Sequence, residues 1–323
     1  MFKEVDREAS EAGIERGLLG FDNLALAEFR WPYVEIIGSE PGPRLCVMGG
    51  VHPNELSSLA AAVALGQSIA PEDLTGTVSI IPIVNLPGLY DHVKELCPVD
   101  GDNIHWKYPG NPDGSFSTAL AHALLFDWSG DADALIDLHG GDLHEKFSRY
   151  TVWQRSGEAE LDERNERLAR CFDADFIVGL DSAHMERPGR CCTAAATLNR
   201  LSLVVEGGSD ARFDESHMLF HLNGVMNVAR ELGLLGGRPV PARRRQLAIG
   251  NYHFVTAPAD SLVIPRCEPG DLVEKDQVLM ECRDSFGRRV GEVVAPVAGY
   301  LIWRTSHLAA HEGVWIGAIG TLA

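Results

Sequence analysis

Short apolar runs alternate with stretches of helical texture along the first three-quarters of this 323-residue chain. Residues 44–51 read as a strand, and an Ala/Leu-rich helix is expected from about Leu56 to Ile69. Thr77 to Val84 (TVSIIPIV) is apolar almost throughout, as a strand buried on both faces would be. Further strands are expected at Ala134 to Leu138, Tyr150 to Trp153 and Leu201 to Glu206, and helices at Ser117 to Phe126, Glu158 to Phe172 and Glu215 to Leu234. In the Glu158 helix, Glu160/Arg164 and Glu163/Arg167 stand at pair spacing and mark a solvent face. This alternation predicts an α/β domain around a central, partly parallel sheet. Leu86 to Gly114 is rich in Pro, Gly, Asp and Asn, and is long for a connection without regular structure; such loops are usually functional. Asp181 to Thr193 also reads as a loop, and residues 1–30 as a charged lead-in helix or arm.

From about Gly250 the texture changes to short strands and turns, punctuated by Pro269-Gly270-Asp271 and Ala295-Pro296-Val297-Ala298-Gly299. The segment resembles the barrel-sandwich domains of biotinyl and lipoyl carriers. Carriers need a lysine on the central hairpin, and Asp284 to Arg289 holds none, so a swinging-arm role is not expected. The expected organisation is a catalytic domain over residues 1–240 and a small all-β domain over 241–323, shielding the active site or mediating oligomerisation. A homo-oligomer is left open.

Composition narrows the partners. With 28 Lys plus Arg against 46 Asp plus Glu the net charge is −18, which argues against nucleic acid or an anionic membrane. The seven cysteines are scattered, without a C-x-x-C, as reduced thiols of a cytoplasmic protein would be. No secretory signal or bilayer-spanning run is evident.

Candidate chemistry gathers where strands end. The strand at 44–51 delivers His52 and, three residues on, Glu55; a second ends in Asp137-Leu138-His139-Gly140-Gly141. Open α/β sheets bind ligands at such carboxyl ends. Together His52, Glu55 and His139 read as ligands of one zinc ion with an open coordination position. Open zinc acidifies a water and polarises a carbonyl, so amide or ester hydrolysis is the expected chemistry. A third strand, Leu203-Val204-Val205-Glu206-Gly207-Gly208, repeats the pattern of an ionisable residue before paired glycines.

These pieces resemble the succinylglutamate desuccinylase/aspartoacylase family, relatives of the zinc carboxypeptidases. GGVHPNE (Gly49 to Glu55), Asn85-Leu86-Pro87, Asp100-Gly101, Tyr108-Pro109-Gly110, DLHGG (Asp137 to Gly141) and VEGG (Val205 to Gly208) stand in the family's order. The resemblance implies a zinc-carboxypeptidase-like domain, zinc on His52, Glu55 and His139, and Glu206 as general base and acid. It also marks departures. His105-Trp106 stands where the family's carboxylate-gripping Asn-Arg pair is expected, and Lys94 where an oxyanion-holding arginine is expected. Lysine keeps the charge without the planar fork. His105 and Trp106 either pack the loop or line a pocket for a less anionic substrate. Arg187 and Arg190 are candidates for the missing carboxylate grip. The sequence reading is therefore a zinc-dependent deacylase that cleaves a linear amide of a small N-acyl amino acid or N-acyl amine through a zinc-activated water. A carboxypeptidase or esterase using the same centre, and a zinc-binding scaffold that has lost catalysis, are the alternatives.

Overall fold

The computed structural model describes the backbone of residues 2–7 and, in full, residues 13–181, 183, 185 and 189–323. Among these, one mixed sheet of fourteen strands runs through the molecule. Its centre is parallel: Thr75–Ile81, Glu40–Gly49, Ala134–His139 and Leu201–Glu206 lie side by side in one direction. Tyr150–Gln154 then joins antiparallel to Leu201–Glu206, and Phe176–Leu180 lies parallel beyond it.

Alternation along the central strands sorts side chains into two cores. Leu45, Val47, Ile136, Leu138, Leu203 and Val205 enter one, closed by the helices Leu56–Leu65, Ala159–Ala169 and Glu215–Glu231. Cys46, Met48, Leu135 and Val204 enter the other, under Phe116–His122 and Cys191–Thr197. Helices thus flank both faces of the sheet, as the strand–helix alternation implies. Asp137 and His139 share parity with Leu135, and Glu206 with Val204, so these three polar side chains project to the same face.

Several elements differ from expectation. The lead-in segment is neither helix nor arm. Phe2–Arg7 and Ile14–Phe21 are antiparallel strands, and Ile14–Phe21 extends the sheet beyond Trp31–Ile37. Leu19 and Phe21 are buried there, and the Phe21 ring lies 5.2 Å from that of Trp31. Phe176–Leu180 is an unforeseen strand, and Cys191–Thr197 is a helix where a loop was expected. The Leu56 helix stops at Leu65, capped by Gly66, rather than at Ile69. The long connection after Asn85 carries a short helix, Leu86–Asp91, and a single 3-10 turn, Ile104–Trp106.

The C-terminal segment is all β, as its turn chemistry implies, with its own apolar core around Val263, Leu279, Met280 and Leu301. A four-stranded sheet lies within it, and Val278–Arg283 pairs with Arg289–Val294 across the expected hairpin. Its other strands continue the large sheet. Leu247–Thr256 runs parallel to Phe176–Leu180 and antiparallel to Trp315–Leu322, which pairs in turn with Gly299–Thr305.

Candidate active site

Register places the three motif ends at one edge of the sheet. Gly49 lies opposite Leu138, and Glu206 opposite His139. Gly50 adopts a positive φ of 62°, and the chain then turns through His52 to the helix starting at Leu56. Glu55 occupies the N-cap of that helix, yet its side chain caps nothing there. Its Oε1 lies 2.7 Å from His52 Nδ1, and its Oε2 lies 3.0 Å from His139 Nδ1 and 2.9 Å from the N–H of Gly140. Both imidazoles therefore turn the same ring nitrogen to one carboxylate.

The far nitrogens are held as well. His52 Nε2 lies 3.0 Å from Asn103 Oδ1, and His139 Nε2 lies 3.0 Å from Asp137 Oδ2 and 3.3 Å from His105 Nδ1. Such partners fix which nitrogen is left for a metal. Burial opposes charge on His52, but the Glu55 carboxylate overcomes it and lifts the imidazole to about 9. Burial likewise opposes ionisation of Glu55, and His139 and His52 overcome it, drawing the carboxyl down to about 2. A metal on these atoms requires neutral imidazoles and an ionised carboxylate, so its binding would release any protons that the ring nitrogens carry. The ligand atoms of His52, Glu55 and His139 lie within 4.8 Å of one another, so two nitrogens and an oxygen fit an open catalytic zinc site.

Glu206 ends its strand opposite Tyr150. Its Oε2 is buried and has no hydrogen-bond partner among the described residues. Burial pushes the carboxyl up to about 8; Glu55 and Glu145 add to the rise, while His139 and His52 oppose it. A proton-accepting group poised near neutrality suits general base and acid work.

A cavity of about 300 Å³ opens over these groups. Lys94 lines it, with Nζ 3.8 Å from Glu145 Oε1. His105, which is buried, and Trp106 line it too. The Arg190 guanidinium lies over the Trp106 ring, 4.4 Å from its centroid, and has no carboxylate partner within 4.0 Å among the described residues. Arg187 lies outside the described residues. Sequence reasoning missed Asn103, Glu145 and Tyr150, and the rings of Tyr252, Phe254, Trp303 and Trp315 that the C-terminal segment contributes. Asn103 had a signal, since it stands in the segment that departs from the family pattern. The aromatic wall had none, because long-range strand pairing sets it.

Comparison with known proteins agrees with this geometry. The succinylglutamate desuccinylase/aspartoacylase catalytic domain matches residues 41–232. N-alpha-acetyl-L-2,4-diaminobutyric acid deacetylase of Halomonas elongata is 24% identical over 237 residues, 72% of this chain and 68% of that protein. Among solved structures, the product-bound ectoine utilization protein EutE (DoeB) from Ruegeria pomeroyi has a TM-score of 0.85 at 22% identity, covering 96% of this chain and 95% of that one. The succinylglutamate desuccinylase/aspartoacylase from Rhodobacter sphaeroides has a TM-score of 0.82 at 23% identity, over 98% of this chain and 96% of that one. At such identities the structures speak for the fold.

Proposed function

We propose, from the premise that the chain belongs to the succinylglutamate desuccinylase/aspartoacylase family, that it is a zinc-dependent deacylase of N-acyl amino acids. The family's catalytic domain makes it an enzyme acting on acyl amides. One observation carries the finer reading: His52 and His139 both present Nδ1 to Glu55, beside a Glu206 whose Oε2 has no hydrogen-bond partner among the described residues.

His52, Glu55 and His139 would hold one zinc ion, which when bound supplies Lewis acidity and acidifies a water. Glu206 takes a proton from the attacking water as its oxygen bonds to the acyl carbon. It then returns that proton to the nitrogen as the C–N bond breaks, leaving a carboxylic acid and an amine. Lys94 supplies positive charge for the carbonyl oxygen. Arg190, whose guanidinium lies over the Trp106 ring, offers its fork to the substrate carboxylate, and His105 gives the cavity a polar wall. We keep the division at 240/241 in this proposal, with residues 1–240 carrying the chemistry and 241–323 the outer wall. The curated relative's substrate, an N-acetylated diamino acid, supports the acyl-amide reading over a carboxypeptidase or an esterase. Seven unpaired, buried cysteines favour a cytoplasmic enzyme, and no helix of the described residues is long and apolar enough to cross a membrane.

A panel of N-acetyl, N-succinyl and N-formyl amino acids, read by amine release from zinc-loaded protein, identifies the substrate. With the best of these, Glu206→Gln keeps bound metal while turnover falls roughly 10²–10⁴-fold. His52→Ala loses metal and turnover together. Unchanged turnover in Glu206→Gln removes Glu206 from this role.

A further inference from the structure

Glu206 Oε2 has no hydrogen-bond partner among the described residues, so the backbone on either side sets where the carboxylate points. Upstream, its strand is fixed by pairing with His139 and Tyr150. Downstream come Gly207 and Gly208, and Gly208 stands at a φ of 138° that only glycine adopts readily. Two successive glycines leave a chain permissive, so this turn depends on its hydrogen bonds. The Gly207 N–H donates to the His139 carbonyl at 3.1 Å, and the Gly141 N–H to the Gly208 carbonyl at 3.2 Å.

The Gly207 carbonyl is met by a side chain that the chemistry above does not use. His221, in the second turn of the Glu215–Glu231 helix, is fully buried, with Nε2 2.8 Å from the Gly207 oxygen. A carbonyl can only accept, so Nε2 carries the proton and Nδ1 of the neutral ring is bare. Nδ1 is buried and has no hydrogen-bond partner among the described residues. Burial pushes the imidazole down to about 4, so the ring stays a neutral donor. A Cβ on Gly207 would lie 2.6 Å from the Phe220 ring and 3.1 Å from His221 Nε2, so the helix meets bare backbone there. On the other side, a Cβ on Gly140 would come within 2.6 Å of the same Gly207 oxygen, and the Gly140 N–H holds Glu55 Oε2 at 2.9 Å. The helix is anchored beside the site as well: the N–H of its N-cap residue, Asp214, donates to Ser57 Oγ at 3.0 Å, and Ser57 belongs to the helix that starts after Glu55.

We propose that His221 is a positioning residue for the general base: by holding the Gly207 carbonyl it fixes the turn that aims the Glu206 carboxylate at the attacking water. The proposal rests on the role given to Glu206 above and adds the element that keeps it in place.

The test is a double-mutant cycle of His221→Leu and Glu206→Gln, completed by His221→Gln, whose amide nitrogen can stand where Nε2 does. Zinc content, melting temperature, kcat and KM are measured with the best acyl-amide substrate of the panel. A misplacement of about 1 Å costs up to roughly 10²-fold, so kcat in His221→Leu should fall about 10- to 100-fold while KM and bound zinc hold. His221→Gln should recover most of that loss. The double variant should be no slower than Glu206→Gln, because His221 acts through that carboxylate. Unchanged kcat in His221→Leu, no rescue by His221→Gln, or losses that multiply in the double variant overturns the proposal. Loss of zinc in His221→Leu also overturns it and makes the ring a support of the metal site. Should His221→Leu not fold, His221→Asn, too short to reach the carbonyl, takes its place in the cycle. Amide exchange adds a reading free of turnover: without the His221 donor the Gly207 and Gly141 amides should exchange faster while those of the Leu201–Glu206 strand keep their protection, and unchanged protection of the two glycines overturns the proposal. If the turn loosens but Glu206→Gln is as fast as wild type, or the wild type hydrolyses no acyl amide, the role of Glu206 fails and the proposal falls with it, while the clamp on the turn stands.

Discussion

Asp137 offers a test of metal affinity and stability together. The residue is fully buried in the middle of the Ala134–His139 strand. Its Oδ2 lies 3.0 Å from His139 Nε2 and accepts from Cys191 Sγ at 3.4 Å, while Oδ1 is buried without a partner among the described residues. If His139 Nδ1 binds the metal, Nε2 carries the proton, and Asp137 accepts it in a charge-assisted hydrogen bond about twice as strong as a neutral one. Asp137→Asn preserves volume and an acceptor oxygen but removes the charge. Loss of such a partner typically weakens metal binding 10–100-fold, which is about 1.4–2.7 kcal/mol. In the metal-free protein Asp137 is one partner of a buried pair with His139, and removing one partner of such a pair is destabilising, so the melting temperature of the metal-free protein should fall as well. Competition with a chromophoric chelator gives the affinity, and thermal melts of chelated protein give the stability. An unchanged zinc affinity would show that Asp137 does not tune His139. An unchanged metal-free melting temperature would show that the pair with His139 contributes nothing to the fold.

Two further outcomes follow from packing and charge. Gly224→Ala places a Cβ 1.9 Å from the Phe172 ring inside the Glu215–Glu231 helix; overpacking of this kind costs about 1–3 kcal/mol, more than the helix propensity gained, so chemical denaturation should show a loss. Glu145 is held near 7 against an ordinary value of 4.5, so the folded state resists its ionisation. Below pH 4.5 the group is neutral in both states and costs nothing; the cost grows through pH 4.5–7 and persists above. Its side chain is one-quarter exposed, so the cost is about 1–2 kcal/mol rather than the full shift. Glu145→Gln should therefore raise stability at pH 8 relative to wild type and leave it unchanged at pH 4, and an equal gain at both values refutes the argument.

Three of the central strands were legible because their apolar runs lead into glycines beside ionisable side chains: His52 and Glu55 after the first, Asp137 and His139 in the second, Glu206 in the third. The helices Ala159–Ala169 and Glu215–Glu231 were legible from charge spacing and length. Phe2–Arg7 and Ile14–Phe21 were not, since strands at a sheet's end mix charged and apolar residues without a strong period. Cys191–Thr197 is made of Cys, Thr and Ala, too short and uniform to show a helical face. In the site, His52, Glu55, His139 and Glu206 each follow or end a strand, which a linear motif records. Tyr252, Phe254, Trp303 and Trp315 reach the cavity only because strands distant in sequence pair there, and nothing local to them announces it.

That pairing also governs how a substrate gets in. The outer wall is tied to the catalytic part twice: Leu247, Ala248 and Ile249 run in register with Phe176, Ile177 and Val178, and Phe147, Lys146 and Glu145 with Trp303, Arg304 and Thr305. Swinging the wall outward would shear both ladders. The half-exposed Trp315 and Phe254 rings line the cavity on that side, and rotations of exposed side chains belong to picoseconds and nanoseconds rather than to the microseconds and milliseconds of domain closure. A wall held by two strand ladders gives the cavity a mouth whose adjustable parts are side chains rather than a moving domain.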